Sequence, residues 1–328
     1  MMHRAPLIIA AVLWAASPAQ ADVEQALADV ILPGYAAFAA ATQDLKDAAS
    51  ADCTATAVTP AYQAAFDAWT EVADLRLGPT ESGGLGVAFW PDERGTGARV
   101  LTALIAANDP IGRDPAAYAT VSVAARGLSA LDLLLFDPGY AYASGDYTCA
   151  LVQTISADLA NQAQALLAGW RDHAALMRDA GAAGNTTYLD ETEVQKAIFT
   201  QILTGFNQTY DSRLGRPMGT FDRPRPTRAE AWRSGRPLAN VVGSAQASTR
   251  LARALSGQNL PLTDAAWTAF AAAADRVSDP TFQTIADPQV RLQVEILQQR
   301  LKVLKDAVEA EVGTALSISA GFNALDGD

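Results

Sequence analysis

Pro288-Gln289-Val290-Arg291-Leu292-Gln293-Val294-Glu295-Ile296-Leu297-Gln298-Gln299-Arg300-Leu301-Lys302-Val303-Leu304 is the stretch whose reading decides the fold. Val290, Val294, Leu297, Leu301 and Leu304, followed by Val308 and Val312, recur at steps of three and four residues, so one face of a helix carries an unbroken apolar seam. The spacing predicts a helix from Pro288 to about Leu316 that must bury that seam against other helices, as in a bundle. The same periodicity recurs in Ala-rich windows elsewhere, and runs of alternating β-branched residues are missing, which predicts an all-α protein. Helices are expected at Thr59–Leu77, with Pro60 in the first turn, and at Ala116–Phe136, Thr148–Asp179, Asp190–Tyr210, Leu238–Leu255 and Asp264–Val277.

Two long stretches interrupt the pattern, Pro79–Gly97 and Leu214–Pro237. Loops of that length in a helical protein are usually functional or disordered, and the aromatic content of the first and mixed charge of the second favour ordered crossings. Both follow the same words, Arg76-Leu77-Gly78-Pro79 and Arg213-Leu214-Gly215-Arg216-Pro217. With a linker-like Gly-Ala-Ala-Gly-Asn-Thr-Thr at 181–187, this divides the chain into helical bundles at 22–184 and 185–328, packed face to face.

The first 21 residues read as a removable secretory leader: basic His3 and Arg4, an apolar run from Leu7 to Ala16, and Ala19-Gln20-Ala21 as the cleavage site. The apolar run is too short to span a bilayer, and no comparable segment follows, so the expected product is exported to the periplasm without membrane insertion. A net charge of −12, from 24 Lys and Arg against 36 Asp and Glu, excludes nucleic acid and anionic membrane as natural partners. About 300 residues remain, enough for a sizeable core. Cys53 and Cys149 are the only cysteines, and an oxidising compartment makes a disulfide between them the expected state, with two inert buried thiols the alternative.

The polar residues that stand out lie in three places. Within Arg126-Gly127-Leu128-Ser129-Ala130-Leu131-Asp132, a continuous helix would align Ser122, Arg126, Ser129 and Asp132 along one face among leucines. A buried Arg or Asp needs a partner, either each other or an Arg from the second half; otherwise these residues line a pocket and touch ligand. In the second crossing Arg213, Arg216, Arg223, Arg225, Arg228, Arg233 and Arg236 outnumber Asp211, Asp222 and Glu230. Guanidinium groups there either bind an anionic ligand or tie the crossing to the protein's own carboxylates, with Arg228, Glu230, Arg233 and Ser234 the residues best placed for a site. Phe89-Trp90-Pro91-Asp92 reads as an aromatic loop plug with Asp92 capping a turn, or, with Arg94, as a pocket wall. His173 is expected on a solvated helix face, and Asp326-Gly327-Asp328 falls far short of a calcium loop.

These segments together resemble the imelysin family, also described as insulin-cleaving metalloprotease-like. The resemblance is carried by Trp69–Pro79 with Arg76, Phe89-Trp90-Pro91-Asp92, Ser122–Gly127 running into Leu131–Phe136, Arg213–Ser234, and the closing Gly321–Asp328. It implies an all-α fold of two bundle-like halves, a periplasmic or cell-surface location and an association with iron uptake. The family pattern Gly-x-His-x-x-Glu falls on Gly127, Ser129 and Asp132, so the His position is Ser and the Glu position Asp. Only His3 and His173 occur in the chain, which rules out a His-based zinc site by counting.

The expected function is a non-catalytic binding component of iron or other metal uptake, with its ligand, a metal complex or small anion, between the halves. Other periplasmic or membrane uptake components are candidate partners. Oxygen donors such as Asp132, Glu81, Asp92 and Glu230 with a Tyr would suit ferric iron, with Asp132 the metal ligand at the motif; Arg76, Arg126 and the crossing arginines would suit an anionic chelator. The alternatives are a metallopeptidase-like hydrolase and a scaffold that binds a partner protein through the Arg-rich crossing. A Ser129 nucleophile would need a general base, and the sequence offers none nearby.

Overall fold

In a computed structural model that describes residues 22–317, the seam-bearing segment is a helix over Pro288–Ala315. Asp287 starts it by accepting hydrogen bonds from the Gln289 and Val290 N–H groups, with Pro288 in the first turn. Val294, Leu297, Leu301, Leu304, Val308 and Val312 are all buried. The expected leader over 1–21 and the closing 321–328 lie outside the described residues.

In chain order the longer helices are α1 (Leu32–Ala51), α2 (Ala55–Thr70), α3 (Pro79–Val87), α4 (Thr96–Ala107), α5 (Gly127–Phe136), α6 (Tyr147–Arg178), α7 (Glu191–Asn207), α8 (Pro237–Ser256), α9 (Pro261–Ala274) and α10 (Pro288–Ala315). A short helix, Val23–Gln25, and a π-helical turn, Ala26–Ile31, lead into α1. No strand occurs among the described residues beyond one isolated bridge between Thr220 and Arg223. No described helix is long and apolar enough to cross a membrane.

In the first half α1 packs on α2 and α6, and α3 and α5 lie against α6; in the second, α7 and α10 pack on α8, and α9 on α10. Helix α8 also touches α2 and the Ala26–Ile31 turn, so it belongs to both halves. Its buried residues are mostly small, Ser244, Ala245, Ala247, Ser248, Ala252 and Ala254 among them, and Gly243 sits against Thr70 of α2. Small side chains let helices approach from several sides at once, which a leucine-rich helix of the same length would not. The apolar core runs without a break from Val23 to Leu316. Gly181–Thr187 is a series of turns between α6 and α7.

Several expected boundaries are corrected. The helix expected over Ala116–Phe136 is three pieces: Pro115–Tyr118, a 3-10 turn at Val123–Ala125, and α5. Gly127 breaks it with φ +63°, and a Cβ there would collide with the Val87 and Gly86 carbonyl oxygens. Pro79–Gly97 is not irregular throughout, because α3 forms over its first part in spite of Gly83, Gly84 and Gly86. Those bare positions receive Leu166 and Gln162 of α6 and the Arg76 guanidinium, so close packing outweighs weak helix propensity. Helix α2 starts earlier than expected and ends at Thr70, placing Pro60 inside it. Beyond Asn207 the chain continues as a π-helical segment, Gln208–Leu214, and a turn, Gly215–Met218; α9 begins at Pro261 and ends at Ala274.

Cys53 and Cys149 form a disulfide with Cα atoms 5.4 Å apart, which ties the α1–α2 junction to the first turn of α6. His173 is not on a solvated face: it is half-buried, edge-on to Trp170 and Tyr188, with Nε2 2.9 Å from the Tyr188 hydroxyl. Burial lowers its pKa.

Candidate functional site

Helix α5 enters the protein at Gly127 and carries Ser129 and Asp132 to the floor of a pocket of about 200 Å³. The walls come from both crossings: Phe89, Trp90 and Asp92 from the segment between α3 and α4, and Arg228, Glu230, Trp232 and Arg233 from the segment before α8. Phe66 of α2 closes the apolar side. Seven of the ten expected ligand-site residues, Trp90, Asp92, Ser129, Asp132, Arg228, Glu230 and Arg233, therefore meet at one pocket.

Asp132 is 4% exposed. Its Oδ1 accepts a hydrogen bond from the Ser234 N–H at 3.1 Å, and its Oδ2 lies 4.0 Å from Arg233 Nη1, beyond hydrogen-bond reach. Burial raises the Asp132 pKa, against the opposing pull of Ser234, Arg233 and Tyr62. The fully buried Tyr62 hydroxyl is 3.5 Å from Ser234 Oγ, and burial together with the Asp132 charge keeps it protonated far above its ordinary range. Ser129 is half-buried, and its hydroxyl has no hydrogen-bond partner among the described residues, so it is not bonded back along the helix.

Arg233 is held by Asp137, to which its Nε donates at 2.8 Å, and its guanidinium lies 4.5 Å from the Trp232 ring centre. Glu230 is buried and accepts from Arg213 Nε at 2.9 Å and Asn240 Nδ2 at 3.1 Å. Arg213 also holds Asp74 through two bonds of 3.0 Å. Burial opposes the Arg213 charge, yet Asp74 and Glu230 together raise its pKa. Arg236 bonds Asp67, Gln63 and Asn240, and Arg216 bonds Glu93 at 2.5 Å on the rim. Four of the seven crossing arginines thus serve the protein's own carboxylates. Arg228 is exposed at the pocket edge and has no carboxylate partner among the described residues.

The other expected residues fall elsewhere. Arg126 does not share a helix face with Ser129 and Asp132; its extended backbone precedes α5, and its guanidinium grips the buried Asp158 at 2.9 and 2.7 Å. Ser234 supports Asp132 from behind without lining the pocket. Arg76 lines a second cavity, of about 320 Å³, which shares Trp90 and Glu230 with the first and also receives Arg213, so both arginines of the echoed words face one space. Asp92 caps α4, accepting from the Thr96 and Gly97 N–H groups at 2.9 and 2.8 Å. Phe89 and Trp90 are half-buried pocket walls rather than a plug, and Arg94 is exposed and outside the wall. Trp232 and Asp137 are site residues the sequence did not single out. Trp232 stands between two residues that were, Glu230 and Arg233, while Asp137 beside Pro138 reads as an ordinary helix stop.

Among the described residues no group of three or more His, Cys, Asp or Glu comes together as a metal ion would require. The four carboxylates expected to suit ferric iron do not converge: Asp92 is spent on a cap, Glu230 on Arg213 and Asn240, and Glu81 lines the second cavity. Asp132 alone does not fit a bare metal ion. The arrangement can instead bind a molecule that presents a donor to Asp132 and Ser129 and a flat or apolar surface to the aromatic walls.

The Imelysin (Peptidase M75) family model matches residues 31–308. Among curated proteins none matches. A crystal structure of an imelysin-like protein from Psychrobacter arcticum 273-4 is similar, with a TM-score of 0.74 at 19% identity over 92% of this chain and 99% of that one. A second, of a "putative iron-regulated protein A precursor" from Parabacteroides distasonis ATCC 8503, has a TM-score of 0.68 at 14% identity over 92% of this chain and 97% of that one. At these identities the likeness concerns the fold alone.

Proposed function

Because the chain belongs to the imelysin family, we propose that it is a non-catalytic binding protein of the periplasm, linked to iron or other metal uptake, whose ligand enters the pocket above Ser129 and Asp132. The observation that carries this reading is the convergence of seven expected residues, from three separate segments, on one pocket between α5 and both crossings. The disulfide supports an oxidising compartment, where such bonds persist. The iron link rests on the name of the Parabacteroides distasonis relative. Since no metal-ligand cluster is present among the described residues, the metal would arrive already complexed, its chelator meeting Arg228 and the aromatic walls.

The floor chemistry favours a binding role for Ser129 and Asp132. The Ser129 hydroxyl has no base within hydrogen-bond reach among the described residues, and the Asp132 carboxyl is oriented by Ser234 rather than toward Ser129. Calorimetry of the mature protein with ferric citrate, free ferric ion, zinc and copper tests the reading. One equivalent of ferric complex should bind, weakened about tenfold by Arg228→Ala, the loss of one charge-assisted contact. Stoichiometric zinc accompanied by peptide cleavage that disappears in Asp132→Ala would establish the hydrolase instead. Absence of any metal or complex binding, with a protein partner recovered through the Arg-rich crossing, would establish the scaffold.

A further inference from the structure

The pocket floor is short of positive charge. Asp132 and Asp137 share the single guanidinium of Arg233, and Arg233 gives its hydrogen bond to Asp137. Behind the wall, Glu230 and Asp74 share Arg213 in the same way. The remaining carboxylates on the pocket are already satisfied, Asp92 by two backbone N–H groups and Glu93 by Arg216. Asp132 lines the pocket with a nearly inaccessible side chain whose near donors, the Ser234 N–H and the Ser234 and Tyr62 hydroxyls, are all neutral, and no positive charge among the described residues comes within hydrogen-bond distance of its Oδ2, Arg233 Nη1 standing 4.0 Å away. A carboxylate in that state is costly unless something completes it. The Ser129 hydroxyl lies one turn earlier on the same helix and also has a free acceptor. Around them stand Phe89 and Trp90, whose ring faces attract cations, while Trp232 and Phe66 already carry the Arg233 and Arg236 guanidinium groups at 4.5 Å.

We propose that the ligand of this pocket enters with a protonated amine, which donates to Asp132 Oδ2 and Ser129 Oγ and is surrounded by the aromatic walls. This rests on the reading of the pocket as the ligand site, and it defines the chemistry of the end that reaches the floor. The exposed Arg228 at the edge suits an anionic group on the other end, so a zwitterionic or amine-bearing chelator fits both. At about 200 Å³ the pocket is smaller than the roughly 300–1,000 Å³ of pockets that enclose whole drug-sized ligands, so it takes a small molecule or one end of a larger one. The raised pKa of Asp132 agrees with a carboxylate still lacking its cation.

The test is calorimetry and tryptophan fluorescence of the full mature chain with 2-phenylethylammonium and 1,4-diaminobutane. The comparison compounds are 3-phenylpropanoate and 2-phenylethanol, of similar size but without the positive charge. The amines should bind one to one, and Asp132→Asn should weaken 2-phenylethylammonium by at least about tenfold, the loss of one charge-assisted bond. Ser129→Ala should weaken it less, and this variant carries the test should Asp132→Asn fail to fold. Equal or tighter binding of 3-phenylpropanoate, amine binding indifferent to both variants, or no amine binding at about 10 mM, weak even for a fragment, would overturn the inference. Ferric citrate titrated into the same protein separates the two readings. A ferric complex that binds where amines do not overturns the amine alone, and amines that bind where ferric complexes do not overturn the metal link alone.

Discussion

At Gly127 one residue type decides whether the site can exist. Its φ of +63° starts α5 in the left-handed region, and its Cα lies against the last carbonyl groups of α3 where no side chain fits. Gly127→Ala should therefore cost more than about 2 kcal/mol, the left-handed penalty plus the displacement of α3, read as a lower denaturant midpoint. Gly145→Ala, also at positive φ but in open space, should cost distinctly less. Asp132 makes the opposite prediction. Burial raises its pKa, so the folded protein holds that proton more tightly than the unfolded chain. Its contribution is therefore most favourable below the ordinary Asp value of about 3.9 and is lost as pH rises through the folded value. Asp132→Asn should accordingly have the higher unfolding midpoint at neutral pH, with the difference shrinking as pH falls toward about 3.9 and smallest below it. A variant less stable at every pH would mean that the Ser234 and Arg233 contacts outweigh burial. A residue kept at a cost to stability is what a binding site requires.

Elements differed in how far the sequence exposed them. The α10 seam was legible because a long helix with one buried face repeats its signal over many turns, and α6 and α8 were placed to within a residue or two for the same reason. Helix α3 was hidden because Gly83, Gly84 and Gly86 carry no periodic signal; contacts with Leu166, Gln162 and the nearby Arg76 decide it, and the first two lie far away in sequence. The break before α5 was hidden by leucines that read equally well as one continuous helix. The polar stripe inferred there was wrong for Ser122 and Arg126, which precede the helix, and right in placing Ser129 and Asp132 on one helix. The Arg-rich crossing was legible as a cluster, but its division of labour was not, since Asp74, Asp67, Asp137 and Glu93 come from the other half. That division can be tested. Arg213→Met leaves the buried Glu230 and the partly buried Asp74 without their shared cation and should cost about 3–5 kcal/mol in chemical denaturation. Arg228→Ala, at an exposed residue with no carboxylate partner, should change stability by less than about 0.5 kcal/mol. Equal effects from the two variants would contradict the assignment of Arg213 to structure and Arg228 to ligand.

Across the whole molecule, stability and site depend on elements brought together from distant parts of the chain. Trp90 and Asp132 precede the α6–α7 turns, Arg228 and Arg233 follow them, and the pocket needs all four. Two devices hold the assembly. Helix α8 packs its small residues against both halves, and the disulfide ties the α1–α2 junction to α6 across a sequence separation of 96 residues. The disulfide belongs to the first half only, so its removal should loosen that half without taking any residue from the pocket. Closing so long a loop contributes about 4–5 kcal/mol by the chain-entropy argument, an upper figure because native strain subtracts from it. Cys53 and Cys149 are both buried, so a Cys53→Ala, Cys149→Ala double variant leaves two small apolar side chains in place of the bond and exposes no new polar group. It should unfold at a lower guanidinium concentration by up to that amount, while the Arg213→Met penalty, on a separate tie, should add to it. Ligand affinity measured below the unfolding transition should stay within about twofold of the wild type, because α5 and both crossings keep their contacts. A double variant that loses affinity while remaining folded would show that the bond shapes the pocket directly and that the two halves are not held by α8 and the crossing arginines alone.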